Sequence, residues 1–372
     1  MINVAQQQAN RTPMYTLPFS EAAGEPVTRI GGKCIGLAAL VSANVPVSPG
    51  FVVTTDAFSQ MMEVDGLGAE IASLVSKLDV NDVRAQAHIS REIGAAIMRR
   101  HIPAEIEAAI RKAYEQLKSG NNSDAAVAVR SSGTGEDLPD ASFAGQGDTF
   151  LEVVGIENVL EKVKRCWASL YSARAMSYRA ACHMSHLEVQ MAVAVQVMVD
   201  ARSAGVAMTL DPSNGDRSKI IVESTWGLGE TLVSGEVTPD HFLIDKVMLM
   251  PVTTRIAHKD HELVVDSATR TAQRRAVPGE RSDAPSVSDE ELKTIALAAK
   301  AIERHFGCPQ DIEWAIDGNR KESRGLVILQ SRPETVWSKK AAAQISGSRN
   351  VSFGVAGVLD TLIAPLLNGQ KS

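Results

Sequence analysis

The chain reads as an α+β protein built from two or three subdomains, and three observations carry that reading. Its 372 residues, with 44% hydrophobic and 22% charged side chains, match ordinary globular usage and are enough for a sizeable core. Short apolar runs such as Met191 to Val199, apolar almost throughout, have the length and near-continuous hydrophobicity of strands buried on both faces. Other stretches repeat apolar residues at helical spacing: Ile106, Ala109, Ile110, Ala113 and Leu117 in one, Leu160, Val163, Trp167, Leu170 and Tyr171 in another.

Each element follows from local signals. The leader, residues 1–26, is polar and lacks the basic-then-apolar pattern of a secretion signal. Arg29 to Leu40, RIGGKCIGLAAL, predicts a glycine loop feeding a small-residue helix that ends by Pro46 and Pro49-Gly50. Phe51 to Thr54 predicts a short strand, with Asp56 near the start of the next helix. Helices continue to about Leu117, Pro103 suits a first turn, and Gly120-Asn121-Asn122-Ser123 closes them. Ala125 to Val129 predicts a buried strand, and at Arg130 the periodicity stops and a glycine-rich loop begins.

One helix is predicted from about Glu157 to Ala181, followed by the Met191–Val199 strand. Gly205 to Leu210 and Lys219 to Glu223 predict neighbouring strands around the turn Asp211-Pro212-Ser213-Asn214-Gly215. Arg255 to Pro285, rich in charge around His258-Lys259-Asp260-His261-Glu262, predicts an exposed β-excursion rather than a metal site. Ser286 to Phe306 returns as an amphipathic helix, and Asp311 to Ile316 with Leu326 to Gln330 forms a hairpin.

Composition excludes several classes. A net charge of −6 and only 4% aromatic residues argue against a nucleic-acid surface, which needs basic stripes and stacking platforms. Met191 to Val199, the longest strongly apolar stretch, is far too short to cross a bilayer. Cys34, Cys166, Cys182 and Cys308 are widely spaced, which fits reduced thiols and a cytoplasmic location.

Four places carry chemistry. In AVRSSGTGEDLPDASFAGQ, Ala128 to Gln146, a guanidinium, hydroxyls and glycines combine into either a phosphate-handling loop or an ordinary Gly/Ser turn. Gly32-Lys33 places an ammonium near a helix N-terminus, where anions are favoured; Cys34 after the lysine departs from a Walker A loop, and a surface turn is the other reading. Glu223-Ser224-Thr225-Trp226-Gly227-Leu228-Gly229-Glu230 offers a carboxylate suited to ribose hydroxyls, or a tight turn over a buried Trp. Asp311, Glu313 and Gln330 supply hard oxygen donors on adjacent strands, with Arg332 on the face of Gln330. That set suits magnesium bridging phosphates; an exposed salt-bridged hairpin is the alternative.

In order and wording these segments resemble the N-terminal nucleotide-binding domain of phosphoenolpyruvate synthase, pyruvate phosphate dikinase and rifampin phosphotransferase, from about Val27 to Val336. The motifs are GGKCIGLAAL with VPVSPGFVVTTDAF, AVRSSGTGEDLPDASFAGQGDTF, VAVQVMVDARSAGVAMTLDP, ESTWGLGETLVSGEVTPD, and DIEWAID with ILQSRPETV. The resemblance implies an ATP-grasp fold of two lobes, residues 27–200 and 201–337, between the leader and a tail, 338–372. It implies ATP and Mg²⁺ as ligands. Lys33 and Arg130 would grip the triphosphate, with Ser131, Ser132 and Thr134 on a mobile loop, Gln196, Met198 and Val199 along the adenine-facing strand, and Glu223 near the nucleoside. Glu313 and Gln330 match the family's metal ligands, and Arg332 the arginine that steadies phosphates. Gly133 and Gly135, where relatives carry small non-glycine residues, predict a freer loop.

In that family ATP phosphorylates a histidine on a swivelling domain, AMP and phosphate leave, and the phosphohistidine serves an acceptor. None of His88, His101, His183, His186, His241, His258, His261 and His305 lies in such a setting, so a split dikinase is expected, with the carrier histidine and acceptor site on a partner subunit. The chain looks like the nucleotide-binding subunit of phenylphosphate synthase, with phenol as the small-molecule acceptor. A split phosphoenolpyruvate synthase, a rifampin-phosphotransferase-like module and a non-catalytic nucleotide sensor are the alternatives. The tail, with an apolar patch from Phe353 to Leu367, is the candidate partner contact.

Overall fold

The computed structural model describes residues 12–79, 82–117, 124–135, 137–138, 141–142, 147–266, 271–319, 325–335 and 337. The expected tail with its Phe353–Leu367 patch lies outside the described residues, as do Gly120 to Ser123. The strands along the chain are β1 (Thr16–Pro18), β2 (Gly50–Val53), β3 (Val127–Gly133), β4 (Asp137–Leu138), β5 (Ala141–Ser142), β6 (Thr149–Val153) and β7 (Met191–Val197). They continue as β8 (Ala201–Met208), β9 (Lys219–Trp226), β10 (Asp240–Asp245), β11 (Pro251–Arg255), β12 (His261–Val265), β13 (Ala272–Ala276), β14 (Gln310–Asp317) and β15 (Leu326–Pro333). The helices are α1 (Val27–Ser42), α2 (Thr55–Glu63), α3 (Leu67–Val75), α4 (Val83–Arg99), α5 (Ala104–Glu115), α6 (Ile156–Ser169), α7 (Ala173–Ala181), α8 (Glu230–Val233), α9 (Gly279–Ser282) and α10 (Asp289–Phe306).

Two antiparallel sheets organise these elements: a five-stranded one in the order β1-β2-β7-β3-β6 and a six-stranded one in the order β11-β10-β9-β8-β14-β15. In the first, β7 explains its own sequence. Val193 and Val195 join the core made with α2 to α7, while Ala192 and Ala194 pack beneath Leu37 and Ala38 of α1. A strand covered on both faces needs apolar residues at every position, and the side against the close-lying helix needs small ones.

The second sheet is covered on one face by α10. Leu292, Ile295, Ala296, Ala299 and Ile302 pack on Ala207, Ile220, Val222, Ile312, Trp314 and Ile316, each large aliphatic side chain contributing about 1.5–3 kcal/mol on full burial. The helix begins at a capping box, Ser288 with Glu291, and ends at Gly307 in the left-handed conformation. The other face of this sheet looks toward the first sheet.

Helix α1 joins the two. It packs on β3, β7 and β15, Leu40 enters the second core, and a parallel bridge from Val47 to Ile328 follows it.

Three local expectations change. The predicted loop at Arg130 is strand: β3 continues through Gly133 because Arg130 to Gly133 pair with Ala194 to Met191 of β7. The single helix from Glu157 to Ala181 is two, broken at 170–172, where Ser172 caps α7 by accepting from the Ala175 amide. The predicted loop before the glycine-rich helix is itself helical, and α1 runs from Val27 with a kink at Gly31 (φ 71°, ψ 165°).

Candidate nucleotide site

A cleft of about 590 Å³ opens between the two sheets, within the range of small-molecule and cofactor sites. One end is apolar, formed by Val197, Met198, Val199, Ala201, Ala204 and Leu228; the other gathers Lys33, Arg130, Glu313 and Arg332.

Lys33 owes its place to the kink. Gly31 lies so close to β3 that a Cβ on it would come 2.1 Å from the Ser132 carbonyl oxygen, and its positive φ is open to glycine at no steric cost. The Ser132 hydroxyl donates to the Ile30 carbonyl at 3.0 Å and accepts from the Cys34 amide at 3.2 Å, clamping the turn that carries Lys33. The ammonium donates to the Ser131 carbonyl and lines the cleft.

Arg130 crosses from the first sheet to the second. Its Nη2 donates to Glu313 Oε2 at 3.1 Å and to Gln330 Oε1 at 2.9 Å, and its Nη1 to the Leu329 carbonyl at 3.3 Å. Glu313 and Gln330 face each other across β14 and β15, and Arg332 faces Asp311 two pairs further on. Burial works to raise the Glu313 carboxyl, but Arg130, Arg332 and Lys33 outweigh it and hold it below its ordinary value. Asp311 moves the other way: burial and then the Glu334 carboxylate push it up to about 6 against the pull of Arg332, although its tip reaches solvent.

Among the described residues, no group of three or more His, Cys, Asp and Glu side chains forms a metal cage. The Glu313 carboxylate and the Gln330 amide oxygen nevertheless converge on one point already held by a cationic nitrogen. A hard divalent ion fits that pair, completing its shell from phosphate oxygens and water.

The residues singled out from sequence separate into two sets. Lys33, Arg130, Gln196, Met198, Val199, Glu313 and Arg332 line the cleft, and Gln330 flanks it through Arg130. Ser131, Ser132 and Thr134 do not line it. Ser131 and Ser132 are buried in β3, and Thr134 is tied to Gln190, its amide donating to the carbonyl at 3.0 Å and its hydroxyl accepting from the Gln190 amide at 3.1 Å. The loop expected there is therefore a paired strand end, and the Ser132 and Thr134 hydroxyls bond to protein groups. Glu223 also stands outside the lining. It shares a sheet row with Val206, Glu313 and Gln330, so it faces the same side, roughly 10 Å from Glu313 by two strand spacings.

Sequence reasoning missed Thr149, Leu329 and Val233, all lining residues. Thr149 is opposite Arg130 in the β3–β6 register, and nothing in the local sequence announces that pairing. A signal did exist for the floor at Ala204 and Gly205: a Cβ on Gly205 would meet the Glu223 carbonyl oxygen at 1.9 Å, so the run Ser-Ala-Gly marks close strand approach. Three buried donors around the site, Gln196 Nε2, Gln330 Nε2 and Arg130 Nε, have no hydrogen-bond partner among the described residues. Such groups are costly unless a ligand or water satisfies them.

In the β-excursion, Lys259 and Glu262 are buried rather than exposed. Lys259 pairs with Asp240, and Glu262 with Arg275 and Arg281.

Comparison with known proteins gives a consistent result. The profile of the family described as "Pyruvate phosphate dikinase, AMP/ATP-binding domain" matches residues 27–351. A probable phosphoenolpyruvate synthase of Staphylothermus marinus is 40% identical over 370 residues, covering 92% of this chain and 44% of that protein. A phosphoenolpyruvate synthase of Aeropyrum pernix is 40% identical over 336 residues, covering 84% of this chain and 41% of that protein. One of Pseudomonas aeruginosa is 38% identical over 342 residues, with 88% and 43% covered. The chain spans less than half the length of each of these relatives.

Proposed function

Because the chain belongs to the pyruvate phosphate dikinase AMP/ATP-binding domain family, we propose that its cleft is an ATP-grasp site that holds Mg-ATP and uses it to phosphorylate a histidine. The observation that carries this reading is the polarity of one cleft: an apolar slot at Val197 to Ala204, and at the other end Lys33, Arg130 and Arg332 beside the Glu313–Gln330 oxygen pair. The slot takes the adenine ring, and the Gln196 amide offers a donor toward it. Lys33, Arg130 and Arg332 neutralise the phosphates and orient them for in-line transfer, the main task of a protein in phosphoryl transfer. Glu313 and Gln330 would hold Mg²⁺, whose charge would offset that developing on the phosphates.

None of the eight histidines lines the cleft, so in this reading the acceptor histidine reaches it from outside, on a further domain or on a partner subunit that also carries the acceptor site. In the relay, ATP and one water yield AMP, phosphate and the phosphohistidine, one phosphoryl group going to water and the other to the histidine, which then passes it to a small molecule. The family's name, pyruvate phosphate dikinase, and the phosphoenolpyruvate synthases among the relatives favour pyruvate as that acceptor; phenol, as in phenylphosphate synthase, is the second to try.

Calorimetry tests the site. Glu313→Gln and Arg332→Ala should each weaken Mg-ATP binding about tenfold or more, since a hydrogen bond to a charged group contributes about 1.5–3 kcal/mol. Equal affinity in native and variant chains would reject the assignment. With the partner present, acceptor-dependent release of AMP and phosphate is expected; release of ADP would mark a simple kinase instead.

A further inference from the structure

We propose that Arg130 is the resident counter-cation of the metal seat, and that loading the divalent ion and delivering Arg130 to the phosphates are a single exchange. The proposal rests on the nucleotide reading above and extends it to how the site is armed. One guanidinium nitrogen, Nη2, donates to both Glu313 Oε2 at 3.1 Å and Gln330 Oε1 at 2.9 Å. Two oxygens from neighbouring strands therefore aim at one cationic centre. A magnesium ion there would sit about 2.0–2.1 Å from each ligand oxygen, in space the guanidinium fills. Metal and Arg130 thus exclude one another at these two oxygens.

The geometry shows what holds the present arrangement and what would release it. The Arg130 side chain is only 13% exposed, and its guanidinium hydrogen bonds all go to the opposite sheet: the two side-chain oxygens and the Leu329 carbonyl. It closes the polar end of the cleft like a strap. A polyphosphate entering between Lys33 and Arg332 offers the guanidinium a bidentate partner of higher charge than one carboxylate. Drawing Arg130 onto the phosphate frees Glu313 and Gln330 for the ion that the phosphate carries with it. The free ion alone has no such help, so its apparent affinity is reduced by the fraction of time the seat is open.

The test uses Mn²⁺ alone, followed by electron paramagnetic resonance, with the native chain, Arg130→Ala, Arg130→Met and Glu313→Gln. If Arg130 holds the seat at least nine-tenths of the time, removing the guanidinium should tighten Mn²⁺ binding about tenfold. Arg130→Met keeps the apolar stem packed and should behave alike. Metal-free ATP should bind more weakly to both variants, opposite in sign to the Mn²⁺ effect. Glu313→Gln combined with Arg130→Met should lose the gain. Mn²⁺ bound no more tightly by a folded Arg130→Met chain than by the native one overturns the exchange, whatever happens with nucleotide. Tightened Mn²⁺ in a chain that never binds Mg-ATP leaves the mutual exclusion of metal and Arg130 standing, but removes the nucleotide reading and with it the delivery of Arg130 to phosphates.

Discussion

Lys259 stands between His258 and Asp260 in a run of charge that reads as solvent-facing, yet it and Asp240 are both fully buried, 2.5 Å apart. The ammonium also donates to the Ala257 carbonyl at 2.7 Å, and the second Asp240 oxygen accepts from the amide and hydroxyl of Ser286, each at 2.7 Å. Both Asp240 oxygens and the ammonium are thus matched by hydrogen bonds, which is the condition under which a buried pair is tolerated. Asp240→Ala would leave an uncompensated charge inside the protein and should cost about 3–5 kcal/mol. A denaturant titration should show the midpoint fall with its slope unchanged; a loss under about 1 kcal/mol would mean that Lys259 reaches water in the variant. The residues legible in sequence were those whose chemistry is rare in a core: Lys33, Arg130, Glu313, Gln330 and Arg332. Hydroxyls were not legible in this way. Ser131, Ser132 and Thr134 look like phosphate donors because a serine beside glycine offers the same group whether it faces a ligand or a neighbouring carbonyl.

At the scale of elements, local signals located the long helices and the strands β2, β3, β7, β8, β9, β14 and β15, left β1, β6 and β10 unannounced, and failed where pairing or steric contact decides. Strand β3 runs on through Ser131, Ser132 and Gly133 because β7 supplies partners there, a fact held some sixty residues away. The kink in α1 is similar: the sequence Gly31-Gly32 permits it, but Ser132 requires it. Gly31→Ala tests that requirement. The new methyl would meet the Ser132 carbonyl oxygen at 2.1 Å and its hydroxyl at 2.5 Å, in addition to the roughly 1–3 kcal/mol that the essentially glycine-only backbone region at φ 71° and ψ 165° costs another residue. Gly66→Ala is the control, with a similar φ of 69° and nothing within 4 Å. Gly31→Ala should lower the melting temperature well beyond Gly66→Ala and also weaken ATP binding, because Lys33 lies two residues on. Equal losses from the two substitutions would show that α1 can back away from β3 without disturbing the site.

Across the whole molecule, the order of elements was readable but not which sheet faces cross the cleft, since that depends on registers such as Arg130 opposite Thr149 and Glu313 opposite Gln330. The two sheets keep separate cores, and what links them is α1, the Val47–Ile328 bridge and the Arg130 strap. A ligand seated between them has partners on both: Lys33, Gln196 and Met198 on one side, Ala204, Glu313 and Arg332 on the other. Its binding energy is therefore available to hold the sheets together rather than to stiffen one of them. At a hundredfold excess over Kd, Mg-ATP should stabilise the native chain by about 2.7 kcal/mol, seen as a melting transition several degrees higher. Hydrogen exchange should slow in β3 and β7 and in β8, β14 and β15 together, while α4 and α5, remote from the cleft, exchange as before. Protection confined to one sheet would mean that the nucleotide rests on a single wall, and the bridging role drawn from the lining residues would have to be abandoned.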